Sequence, residues 1–409
     1  MSAIQNVTEI APDIQAKEAA QPVFDWLLGD GRWLLTRTTL FFAGFCNKLR
    51  EIGIPVERCS LHIRQLHPQI QARSLIWNAD AGGAVQIDRH RGVDNNHAYH
   101  QSPIKPIYEG QPAIRRRLES PDCLNDFSIL DDLRRQQYCD YTVRPLSYSN
   151  HKNPNAISLA TRRLGGFSDR DLAIFDQLMP AFASALELIE TKSTARTLLD
   201  TYVGRKAGEQ VLAGDITRGQ GQNINAVLWM SDMRDFSGMS CDLEQDEVIA
   251  LLNSYFGVMG EAIQNHGGEI LKFIGDAVLA IFPTDGACLL CREPAERAVS
   301  AAEEALTALD DFNRHRRGDK QQPIIRTGIA LHIGRMTYGN VGTADRLDFT
   351  VIGSAVNLVA RLEDLTKQLD PPLVFSAELA KALQRPLRSM GRFQLKGFSE
   401  PQEAFTLAG

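Results

Sequence analysis

The stretch that most constrains this chain is Arg346-Leu-Asp-Phe-Thr-Val-Ile-Gly-Ser-Ala-Val-Asn-Leu-Val-Ala-Arg361. A β-rich segment runs through a glycine into a helix predicted to begin near Ser354. Asn357 and Arg361 are four residues apart on that helix, so both side chains leave one face. An amide and a guanidinium presented together suit an anionic, oxygen-rich transition state. Two carboxylates lie upstream. Asp232 follows the apolar run Ala226-Val-Leu-Trp-Met-Ser231, which predicts a central strand. A carboxylate just outside a sheet is a usual magnesium position. Asp276 ends Gly268-Glu-Ile-Leu-Lys-Phe-Ile-Gly-Asp276 and sits in a Gly-Asp turn between two apolar segments. Such a turn is also ordinary hairpin chemistry, so Asp276 gains its meaning from standing beside Asp232.

A length of 409 residues allows two to three domains, each with its own core. The 44% hydrophobic and 23% charged content is that of a globular chain. A net charge of −6 offers no footprint for a polyanion, so nucleic acid is not expected as a partner. Glu9, Asp13 and Glu18 make the N-terminus polar, and no signal peptide is expected. The best apolar run, Trp33 to Phe45, is too short to span a bilayer and contains Arg37. Seven scattered cysteines form no disulfide framework. The expectation is a cytoplasmic protein without a membrane span. Cys288 and Cys291 make a C-x-x-C with no second pair, for which surface or core thiols are a commoner reading than metal ligands.

Along the chain, residues 1–20 are expected to be a flexible lead-in. Apolar helical segments follow at Val23–Leu28 and Leu34–Ile52, and strand-like runs at Arg58–Leu66, Ser74–Trp77 and Ala156–Arg163. Residues 79–125 are polar and read as loop. Ser168 is a good N-cap with Asp171 at the capping-box position. The helix it opens carries Phe175, Leu178, Phe182, Ala185 and Ile189, a 3-4 spacing that fits either a two-helix seam or packing on its own domain. Pro180 is a possible kink. A break at Thr191-Lys-Ser-Thr194, a second helix Ala195–Leu212 and a Gly-rich link Gly214–Gln222 would complete a connector. The domain plan is therefore 21–192 regulatory, 193–222 helical linker and 223–409 catalytic.

The segments around Asp232, Asp276 and Asn357 together resemble, in order and spacing, the catalytic domain of class III nucleotidyl cyclases over roughly residues 222–408. That resemblance implies an α+β architecture with a ferredoxin-like βαββαβ core. It implies an adenylate cyclase that converts ATP to 3′,5′-cyclic AMP and pyrophosphate. Two magnesium or manganese ions would be held by Asp232, Asp276 and the Met233 carbonyl. Phe236 would belong to the phosphate-facing loop, and Lys396 would bind the triphosphate. Lys272 and Thr350 would read adenine, the lysine donating to a ring nitrogen and the hydroxyl accepting from the exocyclic amine. Thr350 resembles the subgroup in which bicarbonate stimulation is found. Asn357 would orient the ribose and Arg361 would stabilise charge on the α-phosphate. Arg335 and Arg346 are nearby cations with no assigned role. The metal residues and the Lys272–Arg361 set face opposite sides of a dimer interface in that family, so a homodimer would hold two shared sites.

Three rivals stand beside this reading. A guanylate cyclase would want an acid where Lys272 stands. A diguanylate cyclase would need a second acid where Ile270 stands in Gly267-Gly-Glu-Ile270. A degenerate signalling module would have lost metal aspartates or the arginine, and this chain keeps them. The N-terminal half, with strands leading through Phe167-Ser-Asp-Arg-Asp-Leu172 into a long helix, resembles in layout a GAF-like α/β sensor for an unidentified small molecule or protein; another α+β dimerisation domain is the alternative. His90, His97 and His100 cluster in sequence, but without the spacing of a strand or helix site.

Overall fold

A computed structural model of the chain describes residues 5–35, 37–92, 97–149, 155–215, 217–284, 292–316, 323–369 and 371–408. Cys288 and Cys291 lie outside the described residues. The chain divides into two units, Met1–Leu198 and Leu199–Gly409, each mixing helix with a sheet of its own.

The first unit contains α1 (Gln5–Leu28), a 3-10 turn (Asp30–Leu34), α2 (Thr38–Glu51), β1 (Arg58–Arg64), β2 (Ile70–Asn78), β3 (Gly83–His90), α3 (His97–His100), α4 (Ile104–Tyr108), β4 (Ile114–Arg117), α5 (Ile129–Arg135), β5 (Asp140–Leu146) and β6 (Asn155–Thr161). The long α6 (Asp169–Tyr202) crosses the division between the units. The sheet runs β3-β2-β1-β6-β5-β4, with every neighbouring pair antiparallel. Strand alternation gives it two apolar faces. Cys59, Leu61 and Ile63 meet Phe41, Phe45 and Phe182 from α2 and α6 on one face. Tyr141, Val143 and Ala156 meet Ile104 and Leu130 from α4 and α5 on the other.

Three expectations change here. Residues 5–20, expected within a flexible lead-in, belong to α1, and Ala20 is buried. Residues 79–125 contain β3 and β4; β3 is an edge strand with exposed positions such as Val85, so it lacks the apolar alternation that would announce it. The helix expected to break at 191–194 continues to Tyr202. Ser and Thr cost a helix interior only about half a kcal/mol each, whereas Gly204, at φ +95, takes a backbone conformation that ends it. The start of α6 follows expectation: Asp171 N–H donates to Ser168 Oγ at 3.1 Å, and Ser168 N–H to Asp171 Oδ2 at 2.8 Å. Phe175, Leu178, Phe182 and Ile189 are buried in the first unit's own core, with Ala185 partly buried against it. Among the described residues α6 is the one helix long and apolar enough to cross a membrane, and half of its apolar window is buried within the fold.

The second unit continues with α7 (Arg205–Ala213), β7 (Gly221–Met233), α8 (Phe236–Asp242), α9 (Gln245–Asn265), β8 (Glu269–Ile274), β9 (Ala277–Pro283), α10 (Arg292–Arg316), β10 (Thr327–Gly342), β11 (Leu347–Ile352), α11 (Ser354–Thr366), β12 (Leu373–Ser376), α12 (Ala377–Ala382), β13 (Leu387–Phe393) and β14 (Gln402–Leu407). Its sheet runs β13-β14-β12-β10-β7-β9-β8, with β11 paired to β10. The set β7-α9-β8-β9-α10-β10 is a βαββαβ unit with β7 and β9 in the middle and every neighbouring pair antiparallel. Odd-numbered residues of β7, such as Val227 and Trp229, pack under α9 and α10. Even-numbered Ala226 and Leu228 pack with α7 and α11. The Gly-rich link before β7 is tied down: Gly219 N–H donates to Asn340 O at 3.0 Å, and Asn340 Nδ2 to Asp215 O at 2.7 Å.

Candidate functional site

Asp232 lies near the end of β7 and shares the parity of Ala226 and Leu228, which turns its side chain toward the α11 face. Its backbone carbonyl accepts from Thr327 Oγ1 at 2.9 Å, and Thr327 is bonded in turn to the buried Tyr255 hydroxyl at 2.8 Å. Opposite Asp232 on β10 stands Gly328. A Cβ there would overlap the Thr366 hydroxyl. Glycine thus lets the last turn of α11 lie directly on the sheet beside Asp232. Arg234 fastens the same turn from the other side, donating through Nη2 to the Thr366 carbonyl.

Asp276 occupies the turn between β8 and β9, after Gly275 at φ +64. Its carboxyl is pushed up to about 6, by burial first and then by the Asp232 carboxylate that hydrogen-bonds to it and repels it; Lys367 pulls the other way. The two carboxylates therefore share one place and compete for positive charge. Lys367, just past α11, supplies some: Nζ is 3.1 Å from Asp232 Oδ2 and 3.4 Å from both Glu363 Oε2 and Asp364 Oδ1. Burial works against this ammonium, but the Asp232 bond and the Glu363 charge outweigh it and raise its pKa above that of an ordinary lysine. Glu363, 5% exposed, is pushed up to about 7, again by burial first.

Adjacent, mutually repelling carboxylates fit a hard divalent cation such as Mg²⁺ or Mn²⁺. Among the described residues no group of three or more His, Cys, Asp or Glu side chains could hold a metal. The protein offers two carboxylates, and water or substrate oxygens would complete the shell, as is usual for magnesium. His90, His97 and His100 accordingly form no metal cluster.

The remaining sequence-singled residues fall into three places. Asn357 is exposed on α11, and Arg361 is bonded through Nη1 to Asp364 Oδ2 at 3.1 Å. Lys272, on β8, is ion-paired to Asp348. Thr350 lies two residues along β11 from Asp348, on the same strand face, while Phe349 and Val351 are buried on the other. Lys272 and Asp348 line an open cleft of about 1030 Å³ whose lining includes neither Asp232 nor Asp276. Lys396 is exposed in a turn between β13 and β14, apart from these contacts, and Met233 is buried at the end of β7. Phe236 opens α8 and packs against the core under α9, immediately after Asp235, a non-glycine residue at φ +61.

Sequence reasoning missed Lys367, Glu363, Asp348 and Gly328. The i,i+4 pair Glu363/Lys367 reads as a routine helix-end salt bridge, and only the fold brings it to Asp232. Gly328 carries no turn signal, because its reason is close approach rather than φ.

The family model described as adenylate and guanylate cyclase catalytic domain matches residues 220–409. The adenylate cyclase of Anabaena cylindrica is 36% identical over 175 residues, which is 42% of this chain and 33% of that protein. Adenylate cyclase 1 of Rhizobium meliloti (strain 1021) is 31% identical over 190 residues, 46% of this chain and 28% of that protein. The chain thus spans about a third or less of these curated relatives. Among solved structures, a bacterial light-regulated adenylyl cyclase is 28% identical, with 56% of this chain and 64% of that one covered and a TM-score of 0.48.

Proposed function

Residues 220–409 belong to the adenylate and guanylate cyclase catalytic domain family, and from that premise we propose that this chain is an adenylate cyclase acting as a homodimer. The observation that carries the reading is the Asp232–Asp276 pair, two carboxylates held in mutual repulsion beside α11. They would hold the divalent ions, assisted by the Met233 carbonyl. Metal bound there would supply the charge that acidifies the ribose 3′-hydroxyl and neutralises the triphosphate. Lys272 and Thr350 would read the adenine edge, the lysine leaving Asp348 for the ring nitrogen. Asn357 would orient the ribose, Arg361 would stabilise charge on the α-phosphate and Lys396 would bind the outer phosphates. The 3′-oxygen forms the new bond to the α-phosphorus as the bond to pyrophosphate breaks, and the hydroxyl proton leaves to solvent. Within one chain Arg361 pairs with Asp364 rather than with the metal carboxylates. That supports a site in which one protomer gives Asp232 and Asp276 and its partner gives Lys272, Thr350, Asn357, Arg361 and Lys396.

The first unit would act as a GAF-like regulatory domain, with α6 and α7 transmitting its state. Thr350 leaves bicarbonate as a second effector to test. The deciding experiment is turnover of ATP and of GTP by the purified full chain with Mg²⁺ or Mn²⁺. Cyclic AMP as the main product supports the reading. Cyclic GMP as the main product overturns the substrate assignment, and no cyclic nucleotide under either metal overturns the enzyme.

A further inference from the structure

Lys367 is used by no step described above, yet among the described residues it is the cation ion-paired to Asp232. Three contacts hold its ammonium: Asp232 at 3.1 Å, Glu363 at 3.4 Å and Asp364 at 3.4 Å. The lysine stands in a fixed place because the end of α11 is fastened by Arg234 on one side and seated against Gly328 on the other. Its side chain is 46% exposed, while that of Asp232 is 21% exposed. The ammonium therefore reaches inward from solvent onto the carboxylate, and a way out stays open.

We propose that Lys367 is a resident counter-cation of the metal site, which sits on Asp232 until a divalent ion displaces it. This rests on the reading of Asp232 and Asp276 as the metal carboxylates. A unit positive charge a few ångströms from an incoming divalent ion opposes its binding through a partly desolvated medium. Displacement has a destination, because Glu363 and Asp364 already contact the ammonium and lie on its own helix turn. Lys367 is thus a positioning residue: it keeps Asp232 neutralised in the free enzyme and makes metal entry an exchange of one cation for another.

The test is Mn²⁺ binding to the full chain without nucleotide, followed by the electron paramagnetic resonance signal of the free ion. Lys367→Met should tighten binding about fivefold or more, and Lys367→Arg, which keeps the charge, should stay within about twofold of the parent. Asp232→Asn is the reference and should remove the site. If Asp232→Asn binds Mn²⁺ as well as the parent, the metal assignment itself has failed. If Asp232→Asn loses the site but Lys367→Met leaves affinity unchanged or weaker, only the counter-cation role is overturned. A purely structural lysine would not yield a variant that binds metal more tightly, and circular dichroism melts of Lys367→Met verify that the fold is kept.

Discussion

Both units of this chain place a histidine on a sheet and bond it to a serine of a neighbouring segment. His62 Nδ1 is 3.0 Å from Ser74 Oγ in the first unit, and His332 Nδ1 is 2.8 Å from Ser376 Oγ in the second. Their charges are handled in opposite ways. In the first unit two buried acids, Asp140 and Asp171, are each paired with structural partners, while Glu190 accepts from Gln65 Nε2 at 2.6 Å. Asp140, fully buried, accepts from Arg115 Nη2 at 2.6 Å and from the Phe167 backbone at 2.9 Å. Asp171 takes Arg163 and the start of α6. In the second unit Asp232 and Asp276 are set against one another, and a line of alternating charges runs from them through Lys367 and Asp364 to Arg361. Asp140 and Asp171 are matched by partners within the fold; Asp232 and Asp276 compete for a cation, the pattern expected of the proposed metal site.

The largest effect that could break this contrast is on activity. Asp232→Asn or Asp276→Asn should lower ATP cyclisation by about a hundredfold or more while the unit stays folded. Either variant keeping a tenth of the parent rate removes that residue from the metal site. The same variants test the shared site. Asp232→Asn and Arg361→Ala chains, each inactive alone, should recover activity on mixing, because one heterodimer site then has both groups intact. No recovery after demonstrated subunit exchange means that each chain builds its own site.

Asp140→Asn probes the other side of the comparison. Removing one partner of a buried ion pair costs on the order of 3 kcal/mol. Calorimetry should show a lower unfolding transition for the first unit, and Mn²⁺ binding at Asp232 should be unchanged. A stable Asp140→Asn would mean that acids in the first unit are not structural, and the contrast would fall.

A smaller effect concerns the purine. Lys272→Glu with Thr350→Cys inverts the hydrogen-bonding pattern offered to the base. The ratio of kcat/KM for ATP over GTP should fall about tenfold. An unchanged ratio would take both residues out of purine recognition.

What was legible in the sequence follows the same line. The βαββαβ order was available through the resemblance of the second unit's segments to a known family, and β7, β8 and β9 bear it out. The family could be read because the segments around Asp232, Asp276 and Asn357 stand in a specific order and spacing, and the family model matches residues 220–409. The contact of Lys367 with Asp232 was not legible: it forms because Gly328, more than thirty residues away, admits the α11 turn to the sheet. In the first unit β3 escaped because an edge strand needs little apolar patterning. No ligand could be read there, because polar groups such as Asp140 and Asp171 make individual pairs rather than one converging set.

The smallest predicted effect is the most specific to the competing pair. The Asp276 carboxyl is pushed up to about 6, by burial first and then by Asp232. A carboxyl whose pKa is raised on folding binds its proton more tightly in the folded state. Its contribution is fully present below the ordinary carboxylate pKa, and it is lost as pH rises through about 6. With a chelator present, the melting temperature of the second unit should therefore fall slightly between about pH 5 and pH 7, on the order of a degree after allowance for solvent screening. Asp276→Asn should make that slope shallower without removing it, because its amide carries no charge at either pH while Glu363, pushed up to about 7, still titrates in the same window. Added Mg²⁺ should raise the melting temperature of the parent more at the upper pH, where the Asp276 carboxyl has lost its proton. A slope left unchanged by Asp276→Asn would place the titration elsewhere, and the two aspartates would then be neighbours without being competitors.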